Sequence, residues 1–520
     1  MKKKIIVNEY NKQVEREVNY IPFRYIIAIF LVVIETLSVI AVMTLLTIYI
    51  PYFYFAVVLT QFGVAIAIIN RKDNPDYKLP WLFFVLLIPI IGFMLYFMFY
   101  SRKLSKKQIK RLERLTTQRV ETDDTAELSK IQYENEIVRS QAVMLNKLSD
   151  SHTYGNTDIR YYPLGEELFV SMIEDLKKAE KFIFMEYFII EGGLFWNTIL
   201  EILKEKAANG VEVRVVYDDI GCMMTLPGNY YKKLAKLGIK AVPFSRLRGQ
   251  ANNEFNNRSH RKITVIDGKV GFTGGVNIAD EYINRIERFG HWKDVGLRLQ
   301  GEAVNELTRL FLIDYGLNDK KADDNFFDYY AYEVCEQDGY CIPFGDGPKP
   351  MYERQVGKSV ILNMLSQAKR YVYITTPYLI IDSELVQALE NAAIRGIDVR
   401  IITPHVPDKK LVFRMTRSHY NRLMQAGVKI YEYESGFVHA KTYLSDDETA
   451  MVGTINMDYR SLVHHFENGV WIYKHKVLED IKKDFLNTQE KSIKFELGML
   501  KENVFQRFIR AMVKVFSPLL

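Results

Sequence analysis

Two histidines open the same pattern in this chain. His260-Arg261-Lys262 is followed after four residues by Asp267, and after six more by Gly274-Gly275-Val276-Asn277. His439-Ala440-Lys441 is followed after four residues by Asp446, and after six more by Gly453-Thr454-Ile455-Asn456. One H-x-K carries no information; two copies of H-x-K-x4-D-x6-G-[GT]-x-N in one chain are far too specific for coincidence. The β-branched run Ile263-Thr264-Val265-Ile266 predicts a strand, and Asp267-Gly268 the turn that ends it. On extended chain His260 and Lys262 lie two apart and share a face, as do His439 and Lys441 ahead of a turn at Asp446-Asp447. Brought together, the two copies supply two imidazoles, two ammonium groups and the amides of Asn277 and Asn456 around one point. That is a site for a phosphate, whose oxygens the cations and amides can hold as charge develops. One histidine can attack phosphorus while the other protonates the departing oxygen. A nucleophilic neutral imidazole needs its second nitrogen held by an acceptor, and Asp294 and Glu467 stand suitably downstream. Asp267 and Asp446 are counted with the catalytic set, with turn capping or pairing with a nearby base as the alternative. There is no H-E-x-x-H and no Cys/His cluster, so neither a metal nor another cofactor is expected.

The duplicated motif resembles that of the phospholipase D superfamily. Its flanks are similar to those of the bacterial cardiolipin synthases: Tyr217-Asp218-Asp219-Ile220-Gly221, Thr376-Pro377-Tyr378, Pro407-Asp408-Lys409-Lys410-Leu411-Val412, Tyr431-Glu432-Tyr433, Asn456-Met457-Asp458-Tyr459-Arg460-Ser461 and the terminal Ser517-Pro518-Leu519-Leu520. The likeness runs from about residue 60 to the end, and departs where Thr454 replaces the usual serine and where a third hydrophobic segment precedes the expected pair. The resemblance implies a membrane phosphatidyltransferase that makes cardiolipin and glycerol from two phosphatidylglycerols. It implies His260 as nucleophile and His439 as acid, then base. Lys262, Lys441, Asn277 and Asn456 would hold the phosphate, and Asp294 and Glu467 would orient the imidazoles. The alternative is a phospholipase D-type hydrolase with water as acceptor. The membrane anchor and synthase-like flanks argue against a nucleic-acid partner.

The elements that must position these residues fall into six stretches. Residues 1–100 are expected to be a helical membrane region. Its apolar runs are Tyr25 to Ile50, Tyr52 to Ile69 and Leu79 to Tyr100, each near the ~20 residues that cross a hydrocarbon core. The third run contains Pro89 and Gly92 and is a candidate for irregular insertion. Residues 101–149 form a basic helical connector, with eight Lys/Arg and one acid between Arg102 and Arg119. Such a flank suits anionic headgroups and a cytoplasmic catalytic region in a multi-pass cell-membrane protein. Three cysteines, Cys222, Cys335 and Cys341, form no disulfide framework, and a reduced compartment is the simpler account. The remaining chain repeats itself. Lys181 to Tyr187 matches Arg370 to Thr376, Gly210 to Arg214 matches Gly396 to Arg400, and Gly238 to Lys240 matches Gly427 to Lys429, with helical patterns between. The fold class is therefore α/β: two similar halves with mixed, largely parallel sheets, 150–317 and 351–495, joined by a linker at 318–350. An amphipathic helix is expected over 496–520, packed on the protein or lying at the membrane interface. The active site should lie where the halves meet.

Overall fold

The computed structural model carries two α/β halves built to one plan. The structure describes residues 3–7, 13–17, 23–72, 74–88, 91–92, 95–97, 106–120, 122–246, 256–319, 321–322, 325–335 and 337–500. The expected C-terminal helix, from Lys501 onward, lies outside them.

The first sheet runs, edge to edge, Thr157–Tyr162, Gly296–Gly301, Val270–Gly274, Lys262–Ile266, Phe182–Tyr187, Glu212–Asp218 and Lys240–Phe244. The second runs Tyr340–Asp346, Glu467–Tyr473, Thr449–Gly453, Thr442–Ser445, Tyr371–Thr375, Asp398–Pro404 and Lys429–Tyr433, with Ser492–Lys494 added at the far edge. The sheets are mixed, as expected, but not largely parallel. Parallel pairing is confined to the strands joined through helices, Phe182–Tyr187 to Lys240–Phe244 and Tyr371–Thr375 to Lys429–Tyr433. The motif strands pair antiparallel with their neighbours. The reason is the turn after each motif strand: Asp267 and Gly268 have φ of 54° and 70°, Asp446 and Asp447 of 59° and 62°. Two left-handed residues in succession make the tight reversal whose twist suits a hairpin, so the next strand must return antiparallel.

The expected linker also needs correction. Tyr340–Asp346 lies within it, yet this strand closes the edge of the second sheet against Glu467–Tyr473. Its composition of Tyr, Gly, Asp and Pro reads as loop, and only pairing across the sheet overrides that.

One apolar core unites the halves. Phe184, Val265 and Leu299 of the first sheet and Tyr373, Leu444 and Ile472 of the second belong to the same buried cluster. At its centre is helix Val304–Asn318, buried from Val304 through Gly316. Burial on all sides explains its lack of an amphipathic pattern. The connector helix Lys106–Thr116 docks on the end of this helix. Leu112 and Leu115 are buried, and the Arg111 guanidinium donates to the carbonyls of Gly316 (2.5 Å), Asp319 (2.5 Å) and Ala322 (2.8 Å). A cation there satisfies carbonyls that the helix C-terminus leaves open and opposes its dipole. Lys106, Lys107, Lys110 and Arg114 of the same basic run remain exposed.

Helices Phe23–Tyr49 and Pro51–Ile69 cover the first two apolar runs. Among the described residues, Tyr52–Ile69 is the stretch long and apolar enough to cross a membrane by length and composition. The third run is not one straight helix. Helix Pro75–Leu87 spans 13 residues, about 20 Å at 1.5 Å per residue, short of a ~30 Å hydrocarbon core. Beyond it the chain folds back: a Cβ on Gly92 would fall 1.9 Å from the Phe84 carbonyl oxygen, and Tyr96 packs edge-on against Trp81. Only a glycine permits that approach.

Candidate active site

Each motif histidine sits on the extended segment entering its strand, and a backbone bridge from the other half fixes it there. The His260 N–H donates to the Phe466 carbonyl at 2.8 Å, and the His439 N–H to the Lys293 carbonyl at 2.7 Å. Each acceptor is the residue just before a carboxylate. Glu467 therefore meets His260, with both oxygens 3.0 Å from Nδ1, and Asp294 meets His439, with Oδ2 2.6 Å from Nδ1. The pairing is reciprocal: each half supplies the carboxylate for the other half's histidine. Both carboxylates are fully buried, and each histidine is nearly so.

This geometry sets the two ring nitrogens apart. A carboxylate against Nδ1 holds the proton there and leaves the Nε2 lone pair free. Glu467 also accepts from the Ser461 hydroxyl at 2.7 Å and, at closer range, from the Thr454 hydroxyl. Burial raises its carboxyl to about 7. Three donors converging on two oxygens nevertheless suit the acceptor-only ionised form. Thr454 thus uses the hydroxyl that serine would use. The matching position in the first repeat is Gly275, where a Cβ would lie 2.0 Å from Asp294 Oδ1. The glycine leaves room for the carboxylate that the threonine instead hydrogen-bonds.

Lys262 and Lys441 are buried and folded back on their own motifs. Lys262 Nζ donates to the His260 carbonyl at 2.6 Å, and Lys441 Nζ to the His439 carbonyl at short range. Lys441 Nζ also lies 2.8 Å from His439 Nδ1. The Asp294 contact claims that nitrogen's proton, so this is cationic crowding rather than a second hydrogen bond. Burial brings the Lys262 ammonium down to about 7 and the Lys441 ammonium to about 8. Burial and the neighbouring ammonium groups likewise hold His260 well below its ordinary value and His439 at about 4. The site therefore presents two imidazoles held toward the neutral form beside two buried ammonium groups.

Asn277 and Asn456 line the same cavity, of about 1020 Å³, as the two histidines. The Asn277 oxygen accepts the Ile189 N–H at 3.0 Å, and its amide donates to the Tyr282 hydroxyl at 2.8 Å, leaving a second amide hydrogen. Asn456 bonds Asp458, and its Oδ1 has no partner among the described residues.

Asp267 and Asp446 do not join the site. They lie at the far ends of the motif strands. Asp267 accepts the backbone N–H groups of Glu180, Lys181 and Phe182, each at 2.8 Å. Asp446 accepts those of Lys369, Arg370 and Tyr371 at 2.7–2.9 Å. A catalytic placement for them is corrected to a structural one: each carboxylate ties its hairpin turn to the start of the neighbouring strand.

Other residues escape motif reading. Arg261, wholly buried, joins the first motif to the central helix through Asp314 at 2.8 Å and donates to the Glu467 carbonyl at 3.0 Å. His465 packs 5.6 Å from the His260 ring, and its Nδ1 is buried without a hydrogen bond among the described residues. His260, His465 and Glu467 place potential ligand atoms within 4.8 Å of one another, a set that a divalent cation could use at the expense of the histidine's role. Ser461 lies in the run Asn456 to Ser461, where sequence offers flanking likeness but no hint of its contact.

Two α/β halves of one plan sharing a single cavity make a phospholipase D-like fold. The phosphatidylserine synthase of Haemophilus influenzae Rd KW20 has that fold, with a TM-score of 0.56 over 74% of this chain and all of that one at 16% identity. The family described as cardiolipin synthase, PLD-like domain, matches residues 172–289 and 361–488, and a phospholipase D-nuclease N-terminal family matches 61–99. A cardiolipin synthase of Alkalihalophilus pseudofirmus is 34% identical over 88% of this chain and 92% of its own. One of Staphylococcus aureus (strain Mu50) is 32% identical over 85% and 90%. An uncharacterized protein of Streptococcus mutans is 42% identical over 88% of this chain and its own whole length. The chain belongs to the cardiolipin synthase family of the phospholipase D superfamily, and is an enzyme of that phosphatidyltransferase kind.

Proposed function

We propose that this enzyme joins two phosphatidylglycerol molecules into cardiolipin and releases glycerol, through a phosphatidyl-histidine on His260. The observation that carries the reading is the reciprocal pairing of His260 with Glu467 and His439 with Asp294, which aims two Nε2 atoms into one cavity. His260 Nε2 attacks phosphorus, the P–O bond to the terminal glycerol breaks, and His439 gives that oxygen its proton. Burial and the Lys441 ammonium hold His439 at about 4. An arriving phosphodiester anion stabilises its cation and so raises its hold on a proton. The neutral His439 then takes the proton from a hydroxyl of the second phosphatidylglycerol. That oxygen attacks phosphorus, the N–P bond breaks, and His260 is restored. Lys262, Lys441 and the free amide hydrogens of Asn277 and Asn456 hold the phosphate oxygens. No step draws on a metal.

The purified protein in mixed micelles with phosphatidylglycerol should yield cardiolipin and glycerol in equal amounts. Phosphatidic acid with glycerol would instead make it a hydrolase. The exposed basic side chains of Lys106–Thr116, after the apolar runs, support catalytic halves on the cytoplasmic face of the cell membrane. A cysteine at the exposed Tyr133, in a Cys335→Ser background, should resist an impermeant thiol reagent in sealed cells and react once they are opened.

A further inference from the structure

The cavity that holds the histidines has a second character. Its far wall is not made by the catalytic halves alone. Tyr77, Trp81, Phe84 and Leu95 of the N-terminal region line it, facing Leu411 and Val412 of the second half. Helix Pro75–Leu87 is held there by specific contacts. The Asn74 amide donates to Asp382 Oδ2 at 2.8 Å, the Ser383 N–H to Asp76 Oδ2 at 2.6 Å, and the Tyr77 ring packs 5.5 Å from His464. The helix has two faces. Tyr77, Trp81 and Val85, four residues apart, are at most 3% exposed, while Leu79, Leu86 and Leu87 are 48–64% exposed on the other side. Helix Pro51–Ile69, which packs alongside it, offers Phe55, Leu59, Phe62 and Ile66 outward. The cavity that holds the imidazoles is thus walled in part by a helix packed against one long and apolar enough to cross a bilayer.

We infer that this wall is the binding site for the acyl chains and glycerol backbone of a diacyl phospholipid, lying along Trp81, Phe84, Leu95, Leu411 and Val412 while its phosphate sits between His260 and His439. The inference rests on the proposed function for the phosphate end. Its other end stands on the cavity itself. A phosphodiester whose two chains stay in the bilayer cannot reach buried histidines unless something apolar lines the path. A water-filled approach would leave the first methylenes exposed, at a cost that rises with each one. Helix Pro75–Leu87 places the aromatic side chains of Tyr77, Trp81 and Phe84 where that path must run, while the polar members of the lining come from both halves, among them Arg258, Glu281 and Arg288 of the first and Asp408, Lys409 and Arg460 of the second.

The test compares two substrates, a long-chain phosphatidylglycerol in mixed micelles and a dihexanoyl phosphatidylglycerol in solution, on the full-length enzyme. Trp81→Ala and Leu411→Gln should each lower the long-chain to short-chain ratio of kcat/KM by about ten-fold, the effect of one or two methylenes losing an apolar wall. Trp81→Phe should restore most of it. Leu411 is 43% exposed, so its variant tests the wall without threatening the fold. An unchanged ratio in Leu411→Gln, or equal loss on both substrates in both variants, would overturn the inference. Failure of the proposed function reads differently: the wild-type product would be phosphatidic acid, while the chain-length ratio would still be measurable.

Discussion

Neutralising Glu467 tests the central argument most directly. The Glu467→Gln side chain is nearly isosteric; Ser461 and Thr454 donate to different oxygens of Glu467, so one of these bonds persists at the amide oxygen and the other hydroxyl must turn to accept from the new NH2. The His260 contact cannot persist unchanged. One of the two atoms 3.0 Å from Nδ1 becomes an NH2, which favours the tautomer with Nδ1 as acceptor and the proton on Nε2. That form has no lone pair for phosphorus. Loss of a charge-assisted hydrogen bond of about 1.5–3 kcal/mol accounts for roughly 10- to 100-fold. The wrong tautomer adds to this, as neutralising the orienting aspartate does in a serine triad, where turnover falls about 10⁴-fold. The expected decrease in kcat therefore lies between about 10² and about 10⁴. The two carboxylates should also differ in kind. With a phosphodiester bearing an activated leaving group, the first step needs no acid. Asp294→Asn, which disables His439, should then accumulate covalent phosphoenzyme. Glu467→Gln should not. Rapid-quench mixing with acid-labile phosphohistidine as readout distinguishes them, with circular dichroism confirming the fold. If Glu467→Gln retained more than a tenth of wild-type kcat, or if both variants trapped the intermediate equally, the reciprocal assignment would be wrong.

Three further outcomes follow from the same contacts. Asp267→Ala should lower thermal stability, since three backbone N–H bonds at about 0.5–1.5 kcal/mol each are lost, while kcat/KM of the folded enzyme stays within a few-fold of wild type; a loss above 100-fold at full folding would return this residue to the catalytic set. The kcat/KM profile against pH should be a narrow bell with its maximum between about 7 and 8. As pH rises through that range Lys262 and Lys441 lose their depressed protons and the phosphate loses its cations, and as pH falls below about 7 the raised Glu467 carboxyl protonates and releases His260. A flat plateau from pH 6 to 9 would contradict this. Gly275→Ala should cost at least about ten-fold in kcat, because its Cβ must displace the carboxylate that holds His439, and a structure of the variant should show the Asp294–His439 distance lengthened from 2.6 Å.

The histidines and lysines were legible because the chain repeats them, and the α/β pattern because its strands are β-branched and evenly punctuated. What was not legible depended on pairing. The spacing from His260 to Asp294 differs from that between His439 and Glu467, so the carboxylates stand outside the repeated pattern. The discrepancy dissolves once His260 is paired with Glu467 and His439 with Asp294, a fact of tertiary contact that no single-chain spacing encodes. Asp267 and Asp446 misled for the opposite reason: their fixed place in the motif reflects a fixed hairpin, and sequence spacing does not separate a turn from a catalyst. Tyr340–Asp346 hid as linker because Gly and Pro within an edge strand look like loop. The place of Trp81 in the cavity lining was not legible either, since its run is apolar throughout and only the packing of helix Pro75–Leu87 against the second half brings it there.

The crossed carboxylates bear on how such a molecule could diverge. A polypeptide with one copy of the motif would own a histidine without its partner, and would complete two identical sites only by meeting its twin. Once both copies share one chain, symmetry is no longer enforced, and each can accept changes that the other could not tolerate. Gly275 and Thr454 are a record of that freedom: the same position is bare where it makes room for Asp294 and hydroxylated where it braces Glu467. A fused pair can in this way assign attack to one imidazole and proton traffic to the other, a specialisation closed to any assembly of equals.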